Sequence, residues 1–174
     1  CTNCAKGKYN DQLGQDACTN CAKGKYNDLP DSTAEDACTD CAKGKYNNQL
    51  GSTTNDACMT CAKGKYNDQL GSTTKDACKR CAEGTYNDQD GSPEVLNCKS
   101  CPAGQYGDEE GLPECKECPV DSYNAEVNST TLEDCIPCPD GKSTTNFAGM
   151  DSDKRCVFDT QSDNCESDPA QRKI

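Results

Sequence analysis

The sequence predicts a small disulfide-rich fold, mostly irregular with short β-strands, drawn out into an elongated rod of eight tandem repeats of 17–21 residues. Three observations carry that expectation. Cysteine supplies 18 of 174 residues, while Val, Ile, Leu, Met and Phe together supply 17, and the net charge is −12. A Cys-x-x-Cys motif recurs eight times, from Cys1, Cys18, Cys38, Cys58, Cys78, Cys98, Cys115 and Cys135, at intervals of 17, 20, 20, 20, 20, 17 and 20 residues. A glycine and a tyrosine follow nearly every motif at fixed offsets.

A chain this poor in aliphatic residues and this charged cannot offset its conformational entropy by burying a core, so covalent bonds have to take that role. Cysteine at such density persists as disulfide only in an oxidising compartment, which places the chain outside the cell or at its surface. No apolar run approaches the roughly 20 residues of a membrane helix. The acidic balance, with a pI near 4.4, repels phosphate backbones and anionic lipid, so neither nucleic-acid binding nor direct membrane insertion is expected. The sequence opens on Cys1 rather than Met and is read as a mature form or a fragment.

Self-similarity at a fixed period sets the organisation. Residues 1–155 divide into repeats at 1–17, 18–37, 38–57, 58–77, 78–97, 98–114, 115–134 and 135–155, and 156–174 form a polar C-terminal tail. The fourth unit, CMTCAKGKYNDQLGSTTKDA, stands close to the consensus. Three residues after its second cysteine each unit has Gly7, Gly24, Gly44, Gly64, Gly84, Gly104 or Gly141, suited to a turn with positive φ, and unit seven has Asp121 there. Five residues after that cysteine stand Tyr9, Tyr26, Tyr46, Tyr66, Tyr86, Tyr106 and Tyr123, whose rings are expected to pack on their own unit's disulfide. The stretch Asn-Asp-Gln-Leu-Gly-Ser-Thr-Thr reads as a polar turn, giving a short strand, a loop and a short returning strand with almost no helix. Unit eight has Ser143 in place of the tyrosine, as suits the cap of a solenoid.

The pattern C-x-x-C-[AP]-x-G-x-Y, with 13 to 17 residues to the next C-x-x-C, resembles the ephrin-receptor-like repeat and the single-disulfide module of tumour-necrosis-factor-receptor cysteine-rich domains, over about residues 1–156. The resemblance implies a setting in receptor ectodomains or in large surface proteins of algae and other protists. The near-identity of units two to four departs from typical receptors, whose modules diverge.

Three chemistries fit the repeated motif. Two motifs 15 to 20 residues apart supply four thiolates for zinc, but zinc would join motifs in pairs and give near-identical loops alternating roles. A redox Cys-x-x-Cys needs a helix N-terminus or a cation to stabilise its thiolate, and neither helix nor His is expected here. Serial disulfides give every unit the same role. The pairing that the receptor-module resemblance also implies is Cys4–Cys18, Cys21–Cys38, Cys41–Cys58, Cys61–Cys78, Cys81–Cys98, Cys101–Cys115, Cys118–Cys135 and Cys138–Cys156. Each loop would contribute roughly 3 kcal/mol in the chain-entropy view. Cys1 and Cys165 are left over, and the reading is that the tail docks on a neighbouring protomer and Cys165 pairs with the next copy's Cys1, head to tail. A Cys156–Cys165 loop is the local competitor.

No His is present to serve a nucleophile, and no apolar pocket is foreseen to perturb a carboxylate, so the chain is not expected to be an enzyme or to need a cofactor. Calcium is the cation the carboxylates suggest, at Asn87, Asp88, Asp90 and Glu94, which do not form the twelve-residue calcium loop. Asn128 heads the glycosylation sequon Asn128-Ser129-Thr130, and Ser52, Thr53, Thr54, Ser72, Thr73, Thr74, Ser143, Thr144 and Thr145 are candidate O-glycan carriers. The expected function is that of an extracellular structural protein, a subunit of a fibre, surface coat or flagellar hair of an alga or other protist. The alternative is an adhesive or ligand-binding receptor-like ectodomain with its specificity in units five to eight.

Overall fold

The glycine turn after each second cysteine starts a hairpin. In the computed structural model, which describes residues 3–12 and 17–158, Gly24 takes φ 80° and Asp121, in the same place in unit seven, takes φ 65°. The chain then runs into a two-residue strand that pairs with the two residues inside the next Cys-x-x-Cys. Lys25–Tyr26 lies antiparallel to Thr39–Asp40, with Lys25 opposite Asp40 and Tyr26 opposite Thr39. Lys45–Tyr46 pairs with Met59–Thr60 and Lys65–Tyr66 with Lys79–Arg80 in the same register. Eight two-stranded hairpins follow one another, the last pairing Lys142–Ser143 with Val157–Phe158 after Cys156 rather than inside a Cys-x-x-Cys, and the described residues contain no α-helix.

The return leg holds a feature the turn-rich sequence concealed. Among the described residues, the chain makes a three-residue 3-10 turn immediately before six of the cysteines: Glu35–Ala37, Asn55–Ala57, Lys75–Ala77, Val95–Asn97, Leu132–Asp134 and Asp153–Arg155. Short 3-10 pieces serve as connectors where four residues are too few for an α-turn. Between Cys101 and Cys115 there is none, and that loop spans 14 residues instead of 17. The 17-residue spacing of unit six is therefore a deletion of this turn.

Successive units are joined through their backbones. The Gly24 amide donates to the Asn47 carbonyl (2.8 Å), Asn27 to Ser52 (2.9 Å) and Gly51 to Cys21 (2.8 Å), and the same three bonds recur one unit on at Gly44–Asn67, Asn47–Ser72 and Gly71–Cys41. Isolated parallel bridges such as Tyr26–Ser52 and Tyr66–Ser92 lie at the same junctions. Packing reaches two units ahead: a Cβ on Gly24 would overlap the carbonyl oxygen of Gly71, so glycine there answers both to φ and to the neighbouring backbone. Unit-to-unit contacts of this kind make a quasi-one-dimensional solenoid.

The core is a line of sulfur and amide. Cys21, Cys41, Cys61, Cys81, Cys101 and Cys118 are buried almost completely, whereas Leu29, Leu50 and Leu70 are each about three-fifths exposed. The tyrosine expectation needs correction. Tyr106 is buried with Cys118 and Cys135, and Tyr46 borders one groove with Cys61 and Cys78, so the ring leans on the following unit's disulfide. The strand carrying each tyrosine pairs with the next Cys-x-x-Cys, which directs the ring forward.

Candidate functional site

The side chains that hold unit to unit are asparagines of the stretch whose sequence reads as a polar turn. Asn27, Asn47, Asn67, Asn87 and Asn124, each directly after its tyrosine, are among the most buried residues of the protein. Asn67 shows why. Its Nδ2 donates to the Lys45 carbonyl of the preceding unit (2.8 Å) and to the Ser72 hydroxyl of its own loop (2.9 Å), and its Oδ1 accepts from the Gln69 amide (3.1 Å). Asn47 makes the same set with Lys25, Ser52 and Gln49. A buried amide needs all its partners, and here one side chain closes its own loop while it grips the coil before it. The available signal was recurrence, since this asparagine returns in six of the eight units.

Unit six exchanges both polar partners at once. Gly107 stands in the asparagine position and Leu112 in the serine position, and a Cβ on Gly107 would come within 3.2 Å of the Leu112 Cδ1. Replacing both members of the side-chain pair by apolar groups leaves neither of those two side chains with an unpaired polar atom. In unit eight Thr144 takes the place; its hydroxyl receives the Asp121 amide (3.0 Å) and donates to the Phe147 carbonyl (2.6 Å).

The structure joins Cys4 to Cys18, Cys21 to Cys38, Cys41 to Cys58, Cys61 to Cys78, Cys81 to Cys98, Cys101 to Cys115, Cys118 to Cys135 and Cys138 to Cys156, with Cα separations of 5.6 to 5.7 Å. Seven of the bonds link the second cysteine of one motif to the first of the next, and the eighth links Cys138 of the last motif to the single Cys156. Cys1 and Cys165, with the tail contact proposed for them, lie outside the described residues.

The four oxygen carriers considered for calcium are separately engaged. Asn87 is buried and donates to the Lys65 carbonyl, Asp88 pairs with Lys99 (2.9 Å), Asp90 accepts from the Lys63 amide (3.0 Å) and Glu94 faces Lys43 (3.8 Å). Three of the O-glycan candidates are corrected: Ser52, Ser72 and Thr144 are buried, and each hydroxyl is hydrogen-bonded in the ladder. Thr53, Thr54, Thr73, Thr74 and Thr145 are exposed. Asn128 is exposed at φ 62°, in the position held by Gly51, Gly71 and Gly91 in other units. Asparagine tolerates that left-handed conformation, so local geometry and the sequon both suit it.

On the outer face, three ion pairs repeat across the hairpins: Lys79 with Asp68 (2.9 Å), Lys99 with Asp88 (2.9 Å) and Lys116 with Asp108 (2.7 Å). Hydrogen bonding to the lysine holds each of these carboxyls below its usual range, and hydrogen bonding to the carboxylate holds each ammonium above its own. Lys79 and Lys99 also lie 5.8 and 5.6 Å from the ring centres of Tyr66 and Tyr86. Among the described residues no cluster of three or more His, Cys, Asp or Glu is placed to hold a metal, and no helix is long and apolar enough to cross a membrane.

Residues 1–38 and 94–135 match the family described as tyrosine-protein kinase ephrin type A/B receptor-like. No curated protein matches the chain. The intervening residues 39–93 repeat the hairpin, disulfide and buried asparagine of the flanking units.

Proposed function

From the ephrin-receptor-like cysteine-rich repeats that this chain carries, we propose that it is an extracellular structural protein, the rod-like subunit of a fibre, surface coat or flagellar hair, with no catalytic role. The observation that supports this reading most is the identity of successive junctions. The same disulfide, the same three backbone bonds and the same buried asparagine recur from unit two to unit four. A ligand-specific surface gains from divergent modules, whereas a spacer gains from identical ones. Under tension each loop is bypassed by its own disulfide, so the rod yields little before a covalent bond must break.

In this reading Cys165 of one copy bonds Cys1 of the next, and the contact, which does not close on itself, propagates a filament. Imaging of the native material tests the proposal: regular polymers are expected, and dispersed single rods carrying a bound ligand would favour a receptor-like ectodomain instead. Non-reducing electrophoresis of the same material should give a ladder that reductant collapses to one band at the chain mass of 18.6 kDa.

A further inference from the structure

Charge is distributed along this solenoid very unevenly. Residues 1–81 hold eleven Lys or Arg against ten Asp or Glu, and residues 82–174 hold seven against twenty. One row of side chains shows the change most sharply. Two residues after the second cysteine of successive units stand Lys6, Lys23, Lys43 and Lys63, and then Glu83, Ala103, Val120 and Asp140. Each of the first seven positions sits beside the turn that donates to the next unit, to an asparagine carbonyl from Gly7, Gly24, Gly44, Gly64 and Gly104, to the Gly107 carbonyl from Gly84 and to the Thr144 hydroxyl from Asp121, so they recur at one place in successive units. Lys6, Lys23, Lys43, Lys63, Glu83 and Asp140 are all exposed in it.

Inside the chain the row already draws carboxylates from later units where these exist. Lys43 faces Glu94 across 3.8 Å, and the Lys63 backbone amide donates to the Asp90 carboxylate, both acids coming from the loop of unit five. The positions equivalent to Asp90 and Glu94 in the loops facing Lys23 are Leu50 and Thr74, so that lysine meets no acid. Among the described residues Lys6 and Lys23 make no ion pair, and neither do Glu110, Glu126 and Glu133 at the other end. In this row the rod thus offers unpaired lysines in units one and two, although units one to four as a whole hold nine Lys against ten Asp or Glu, and its second half offers unpaired carboxylates on the same repeat.

We infer that the basic row of units one to four docks side-on against the acidic units five to eight of a second copy of this chain. The inference deepens the structural reading above and rests on it. Charge complementarity favours a second copy over an anionic polysaccharide, which the acidic half of the same rod would repel. Overlap by half a rod length places each row position against a partner of opposite or neutral charge. It also continues from copy to copy.

The test uses the full chain with its free thiols alkylated, so that association is non-covalent, followed by sedimentation velocity. Raising NaCl from 20 to 300 mM shortens the screening length from roughly 20 Å to roughly 6 Å. Association at 20 mM should weaken at least tenfold over that change, and a Lys6→Glu/Lys23→Glu variant should lose at least tenfold at 20 mM. A Glu83→Lys/Asp140→Lys variant should also self-associate poorly. Mixed, the two variants should form a 1:1 complex, because one retains the acidic end and the other the basic end, and that rescue excludes misfolding as the cause. Salt-independent association, variants that behave as the parent, a mixture that stays apart, or lysine-dependent binding only to sulfated polysaccharide would each overturn the inference. An alkylated chain that stays monomeric at 20 mM would overturn it too, and a disulfide-linked polymer in native material would then leave the structural reading standing.

Discussion

Pulling on the oxidised chain should reveal how little of it can lengthen. With handles before Cys4 and after Cys156, tension runs through each disulfide and the short link to the next one, and bypasses every loop. Eight Cα–Cα spans of 5.6 to 5.7 Å contribute about 45 Å. Seven Cys-x-x-Cys links, each three residue steps of at most about 3.6 Å, add about 75 Å. The fully stretched oxidised contour is therefore about 120 Å, against roughly 530 Å for the 152 residue steps once reduced, at about 3.5 Å each. Single-molecule force spectroscopy with and without reductant measures both lengths. An oxidised chain extending to several hundred ångströms would refute the reasoning, because bonds closed within each Cys-x-x-Cys would shorten the chain hardly at all.

The asparagine ladder predicts that Asn67→Ala, which removes three hydrogen bonds worth about 1 kcal/mol each, costs about 3 kcal/mol locally, or about two decades of exchange protection at the Gly44 and residue-67 amides. Because unit six carries Gly107 with Leu112, the Asn67→Gly/Ser72→Leu double variant should recover part of that protection; a double variant worse than the alanine one would show that the sites are not equivalent. Gly24→Ala should destabilise by about 2–4 kcal/mol, combining positive φ with overlap on the Gly71 carbonyl, and an unchanged thermal midpoint would count against the two-unit contact. Asp68, Asp88 and Asp108 have depressed folded pKa values, so their contribution is present above the unfolded value near 3.9 and is lost as pH falls through the folded one. Thermal midpoints should drop below about pH 4, less steeply at high salt or in a Lys79→Gln/Lys99→Gln/Lys116→Gln variant, and an acid limb insensitive to both would exclude these pairs as its source. Full reduction at neutral pH should abolish the hairpin signal in circular dichroism, and a spectrum unchanged by strong reductant would show that disulfides are not what holds the fold.

The sequence by itself determined the fold class, the repeat and the hairpin. Cysteine density with so few aliphatic residues leaves cross-links as the main source of stability, and the Gly that recurs in seven of the eight units has one conformational meaning, which Asp121 shares at φ 65°. Hairpins were legible because turn chemistry is local. What only the tertiary structure decided is how one unit meets the next. Asn67 and Ser72 look like turn residues in any window of sequence, and they are buried because the carbonyl of Lys45, 22 residues earlier, is brought to Asn67 by stacking of coils. Tyr106 belongs by sequence to one disulfide loop and packs on the next because its strand pairs forward. Burial of a polar side chain depends on which backbone groups need a partner, and that need exists only once successive coils are in contact.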